Sequence, residues 1–245
     1  MKQLQQAIKA EFRKIFTVRS TYVVAAIAIA IVAFFTFYVE GFKSTGPYNN
    51  PGMLAGEATS AVTAVGGIIA IVGVLLFTHE YRYNTIMYTL ISTRRRSNIV
   101  IAKIVAVSAF ALFLGLIISL LAPLLTALAL QLRGVDLVHQ VFSPLDLLWR
   151  CLFTAWGFSM IALMFSMLLR HQVASIVALF ILPSTVEPLL GTLLKNNASY
   201  LPYNALVAVL SEQRISHVAG AVTVLVWLTV GFIAAWQLLL RRDAN

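Results

Sequence analysis

Residues 21–39 read TYVVAAIAIAIVAFFTFYV, a run from Thr21 to Val39 without one charged side chain. Coiled as an α-helix rising ~1.5 Å per residue, it reaches about 28 Å, close to the ~30 Å hydrocarbon core of a bilayer. Backbone groups in lipid find no water, so such a segment crosses as a helix whose hydrogen bonds close internally. Further apolar runs fall at residues 59–78, 101–130, 150–169, 172–194 and 218–240, which makes six predicted spans. The third is longer than a bilayer requires, so it is expected to start in the cytoplasm, with a kink at Pro123 in its outer part. In the fifth, Pro183, Glu187 and Pro188 predict that the span proper covers 172–186. Short re-entrant helices are then expected in the outer leaflet before the sixth span, because the leucines of residues 187–216 are too apolar for a solvated loop.

Composition points the same way. The chain has 245 residues, 60% hydrophobic and 11% charged, with a mean hydropathy of +0.88. That much apolar surface does not fit around one water-facing core, which places the chain in the membrane class. The reading is an all-α integral membrane protein, one transmembrane domain over residues 1–245 with no soluble domain. A single cysteine, Cys151, excludes an internal disulfide framework and any CxxC site. Residues 1–19 differ from the rest. Leu4, Ile8, Phe12, Ile15 and Phe16 recur at helical spacing, and Lys2, Gln5, Lys9, Arg13 and Lys14 cover the other side, which predicts an amphipathic helix lying on the membrane. Arg13 and Lys14 are read there as braces against lipid phosphates.

The net charge of +9 is a matter of topology. With the N-terminus inside, only Lys43, Arg133, Arg150, Lys195 and Arg214 of the 18 Lys and Arg residues lie outside. The positive-inside rule therefore places both ends in the cytoplasm, and nucleic-acid binding loses its motivation. Mid-depth positions of the spans carry no ionisable group, which disfavours an ion-driven carrier. The chain also lacks a GxxxxGK[ST] phosphate loop, so it has no ATP site of that kind. His79, His139, His171 and His217 are scattered without metal-ligand spacing. Ser159, in Gly157-Phe158-Ser159-Met160, is the nearest candidate for an intramembrane nucleophile, but no histidine is placed at its depth. A membrane-embedded hydrolase and a passive channel or scaffold are the alternatives to a transporter.

The informative connection is His79-Glu80-Tyr81-Arg82-Tyr83-Asn84-Thr85-Ile86-Met87-Tyr88-Thr89-Leu90-Ile91-Ser92-Thr93-Arg94-Arg95-Arg96, between spans two and three. Asn84 and Thr85 are good N-cap residues, and Ile86, Met87 and Leu90 make one apolar face of a short helix parallel to the membrane. The loop, residues 80–98, reads as a docking surface. It resembles the corresponding loop of permease subunits of type-2 ATP-binding cassette (ABC) exporters. In that family an acidic residue follows the second span, a Gly-Thr pair opens a coupling helix, and a leucine, a basic turn and a lysine entering the third span follow. Glu80, Thr85, Leu90, Arg94 or Arg95, and Lys103 fall on those positions, with Asn84 in place of the glycine. Leu201-Pro202-Tyr203-Asn204-Ala205-Leu206 is similar to a pattern before the last span of such permeases.

The resemblance implies a permease subunit that pairs with a second permease, identical or homologous, and with two separate ABC ATPases that hold ATP and Mg. No cofactor would sit in this chain. Ile86, Met87 and Leu90 would supply apolar contact to the ATPase, and Glu80, Arg82 and Arg94 would orient it. The small residues Ser60, Thr63, Gly66, Gly67 and Ala70 of the second span, with Ser175 and Ala178 of the fifth, are candidates for the permease seam or the substrate path. Close packing within one subunit is the equal alternative for the second span. A path of apolar and hydroxyl groups suits a hydrophobic or amphipathic cargo. The implied location is the plasma membrane, in bacteria the inner membrane.

Overall fold

The computed structural model describes residues 2–43, 52–83, 96–135, 143–211 and 215–241. Among these residues the chain is helix and turn, without strands. Helix α1, Lys2–Thr17, is separated from α2, Arg19–Ala33, by the extended residue Val18. Helix α2 widens into a π-helix, Phe34–Lys43, where Phe34, Phe35 and Tyr38 are exposed. Helices α3 (Met53–Arg82), α4 (Arg96–Leu132) and α5 (Pro144–Leu169) follow. Arg170, at φ 52°, ends α5 in the left-handed conformation, and α6 covers Gln172–Ile181. A π turn (Leu182–Val186), α7 (Glu187–Leu194), a 3-10 turn (Lys195–Tyr200), α8 (Pro202–Leu210) and α9 (His217–Arg241) complete the order. Among the described residues six helical stretches are long and apolar enough to cross a membrane: Arg19–Val39, Met53–Arg82, Ser97–Leu132, Pro144–Leu169, Gln172–Tyr200 and His217–Leu238. Helices α3 and α5 begin before the apolar runs because helix hydrogen bonding continues through polar residues where the hydrocarbon ends.

At the prolines of the fifth stretch the structure corrects the expectation. The helix does not stop at Pro183–Val186 but widens there and runs on to Leu194. Proline lacks the N–H that the preceding turn needs and its ring crowds the carbonyl four residues back, and a π turn relieves both. Ser184 Oγ donates to Phe180 O at 2.6 Å, supplying a side-chain donor beside the interruption. The reversal comes at Lys195, φ 48°. Helix α4 likewise continues through Pro123.

Helices α3 and α5 form the centre, run parallel and approach closely at two glycines. A Cβ on Gly66 would collide with the Phe158 ring, and one on Gly73 would lie 2.7 Å from the Ser159 carbonyl oxygen. The first could be met by a ring shift, the second only by moving backbone. Gly73→Ala is therefore expected to push α3 off α5 and destabilise the protein by about 1–3 kcal/mol, read as a lower melting temperature in detergent. Gly56→Ala, where a Cβ meets nothing within 4 Å, is the control expected to hold or slightly raise it, since alanine favours a helix over glycine.

Two polar latches hold the opposite end. Glu187 accepts the N–H groups of Tyr203 (2.8 Å) and Asn204 (2.9 Å) at the start of α8. A carboxylate there satisfies donors that a helix N-terminus leaves open, and so ties α7 to α8. Arg150 pairs with Asp146 at 2.6 Å and donates to the Leu210 carbonyl closing α8 at 3.2 Å. Leu189 and Leu193 of α7 stay exposed.

Candidate functional site at the α1 end of the bundle

Four charged side chains meet where α1 crosses the ends of α3 and α4. Lys103 Nζ lies 3.1 Å from Glu11 Oε2 and 3.0 Å from Glu80 Oε1, and it donates to the Leu76 carbonyl at 2.9 Å. Lys14 Nζ lies 2.6 Å from Glu11 Oε1 and also pairs with Glu80 Oε1. Lys103 is 1% exposed, Glu11 3% and Glu80 5%; Lys14 forms the half-exposed rim. Burying an ion costs several kcal/mol, and the cost is recovered only when opposite charges alternate with good geometry. Here two ammonium groups and two carboxylates alternate, with no net charge. Burial lowers the Lys14 pKa, but Glu11 and then Glu80 outweigh it and hold the ammonium above its ordinary value.

The sequence places three of the four members by local rules. Glu11 stands three residues after Ile8 and four before the buried Ile15, so it lies on the apolar stripe of α1. Lys103 is a single cation among the apolar residues 98–130 of α4. Glu80 lies two residues before the end of α3, close to Lys103 because α3 and α4 pack along their length.

The next two residues of α3 engage other helices. The Arg170 guanidinium sits 5.5 Å from the centre of the Tyr81 ring and donates to the Leu238 carbonyl of α9 at 3.2 Å. Arg82 Nη1 donates to Gln172 Oε1 of α6 at 3.2 Å. Glu80, Tyr81 and Arg82 thus join the end of α3 to α1 and α4, to α5 and α9, and to α6. This end of α3 is thereby tied to five other helices.

The family model of ABC-2 family transporter proteins matches residues 7–186. It runs from within α1 to the end of the π turn and includes all four members of the charge cluster. The chain belongs to the ABC-2 transporter family. No curated protein matches it. This ABC-2 chain is thus a multi-pass membrane transport subunit, of a family whose permeases work with an ATP-binding cassette component.

Of the positions singled out in the ABC-2 chain for ATPase coupling, Glu80 and Lys103 meet in the cluster and Arg82 sits beside it. Thr85, Ile86, Met87, Leu90, Arg94 and Arg95 lie outside the described residues. Glu11 and Arg170 carry contacts that the reading of the loop did not anticipate, and Lys14 is occupied by carboxylates rather than assigned to lipid phosphates. The signal for Glu11 was its place on an apolar face. Arg170 offered none, since its partners come from helices distant in sequence.

The small residues divide. Gly66 packs on Phe158 and Gly67 near Phe180 of the same chain, and Ala70 is fully buried in the core. Ser175 is buried with its Oγ donating to the His171 carbonyl at 2.8 Å, and Ala178 is half-buried. Ser60 and Thr63 are exposed, their hydroxyls donating to Glu57 and Thr59 carbonyls. Ser159 is buried and its Oγ donates to Ala155 O at 3.1 Å. His217 is turned to Arg150 and the Ala208 carbonyl, and the Ser159 hydroxyl proton is taken by a backbone carbonyl of its own helix. Among the described residues no group of His, Cys, Asp and Glu is arranged for a metal ion.

Proposed function

We propose that the chain is the membrane subunit of an ATP-driven exporter, and that the end of α3 carries the stroke of a separate ATPase into the bundle. The observation that carries this reading is the buried Glu11, Lys14, Glu80 and Lys103 cluster at the base of the connection running to Arg96. That connection, with Thr85, Ile86, Met87 and Leu90 as its apolar and capping residues, docks in a groove of the ATPase, and Arg94 and Arg95 steer it. When ATP closes two such ATPases, each pushes on α3. The cluster transmits the push to α1 and α4, and the Tyr81 and Arg82 contacts transmit it to α5, α6 and α9.

In this reading two membrane subunits form the translocation path, with the exposed outer stretch around Ser60 and Thr63 at the seam. The cargo is hydrophobic or amphipathic, and both termini lie in the cytoplasm. The exposed leucines of α7 rest in the outer leaflet, where lipid covers them. ATP and Mg bind only to the partner. Purification of tagged chain from native membranes is expected to recover a cassette ATPase in roughly equal amount. Chain that transports in liposomes without any ATPase would overturn the reading, as would purification that recovers none.

A further inference from the structure

A groove of about 410 Å³ runs between α1, α2 and α4, a size typical of ligand sites. Phe12 and Phe16 of α1 close its end, and Tyr22, Ala25 and Ile29 of α2 face Ala109, Phe113 and Ile117 of α4 across it. From Tyr22 to Ile29 it extends roughly 10 Å along the helix axis, about two thirds of one leaflet of a ~30 Å hydrocarbon core. Its outer lip is open, since Phe16, Tyr22 and Phe113 are each more than half exposed. The Tyr22 hydroxyl is already used, donating to the Phe16 carbonyl at 2.6 Å and fastening α1 to α2. The walls therefore suit a hydrocarbon chain rather than a polar ligand.

Charge at the mouth selects the kind of chain. Arg13 follows Phe12 directly, Arg19 begins α2 two residues before Thr21 of the wall, and both are exposed. The nearby carboxylate, Glu11, is buried and paired with Lys14 and Lys103, so it does not cancel them. We propose that this groove holds one acyl chain of an anionic glycerophospholipid from the leaflet on the α1 side, with its headgroup phosphate on Arg13 and Arg19. The lipid is a resident ligand that wedges α1 against α2 and α4, an apolar counterpart to the charge cluster on the adjoining face of α1. It lies away from the α3 and α5 centre.

Native mass spectrometry of the full chain in mild detergent tests this, with phosphatidylglycerol or phosphatidylcholine added. One phosphatidylglycerol per chain is expected to survive at activation that strips phosphatidylcholine. Ala25→Trp and Ala109→Trp fill the groove from opposite walls, and each is expected to abolish that adduct. Arg13→Gln with Arg19→Gln alters exposed residues only, and is expected to weaken phosphatidylglycerol binding about 30-fold, from two headgroup contacts. Equal retention of the two lipids would overturn the proposal. So would an adduct unchanged in the double glutamine variant, or tryptophan variants that change the oligomeric mass and not the lipid count. The measurement uses the chain alone, so its outcome is separate from whether an ATPase partner is recovered.

Discussion

Lys103→Met is expected to lower the stability of the protein by about 3–5 kcal/mol, because removing one partner of a buried ionic network leaves the others uncompensated. Lys103 is the cation that touches both carboxylates from inside the bundle and also serves the Leu76 carbonyl. Without it, Lys14 at the rim is the cation still shared by Glu11 and Glu80 among the described residues. The melting temperature in detergent should fall sharply, and α1 should become the first helix cut by protease. Replacing all four members with apolar residues, as Glu11→Leu, Lys14→Leu, Glu80→Leu and Lys103→Met together, should recover most of that stability, since a well-packed apolar substitute is often no worse than the ions. The combined variant should hydrolyse ATP in its complex yet transport poorly, because leucines hold helices together without fixing their register. A combined variant that is stable and transports at the normal rate would show the cluster to be structural only.

Leu90→Asp is expected to abolish assembly with the ATPase and leave insertion of the spans intact. An unpaired carboxylate in a packed contact costs about 2–5 kcal/mol. At the upper figure the association constant drops more than a thousandfold. Co-purification measured against the unaltered chain reads this directly. Leu90→Met, similar in volume, should retain the partner. Full ATPase recovery with Leu90→Asp would place the docking surface elsewhere.

How much of this was legible in the sequence depends on the range of the forces involved. The six crossings follow from apolar length alone, since every 20-residue run without charge has one way to satisfy its backbone in lipid. The fifth stretch was legible in part. Pro183 and Pro188 marked the disturbance correctly, but whether a proline ends a helix or widens it is decided by neighbours such as Ser184, whose bond to the Phe180 carbonyl is a matter of geometry. Glu80 and Lys103 were singled out by their places at span ends. That they meet each other and also Glu11 depends on how α1 lies across α3 and α4, which no local pattern encodes. Glu187 read as a helix breaker, whereas the fold uses it as the acceptor for the first N–H groups of α8. Gly66 was recognised as a place of close approach, and only the packed structure shows Phe158 of the same chain filling it and the Ser159 carbonyl pressing on Gly73.

The central claim is that α1 moves with the end of α3 when the ATPase works. Spin labels at the exposed positions Gln5 and Tyr83, and in a second preparation at Gln5 and Leu145 in the first turn of α5, can report it by pulsed distance measurement in the complex with its ATPase. Between nucleotide-free and ATP-trapped states, the Gln5 to Tyr83 distance is predicted to stay constant while the Gln5 to Leu145 distance changes. A Gln5 to Tyr83 distance that shifts with nucleotide while Gln5 to Leu145 holds still would contradict it.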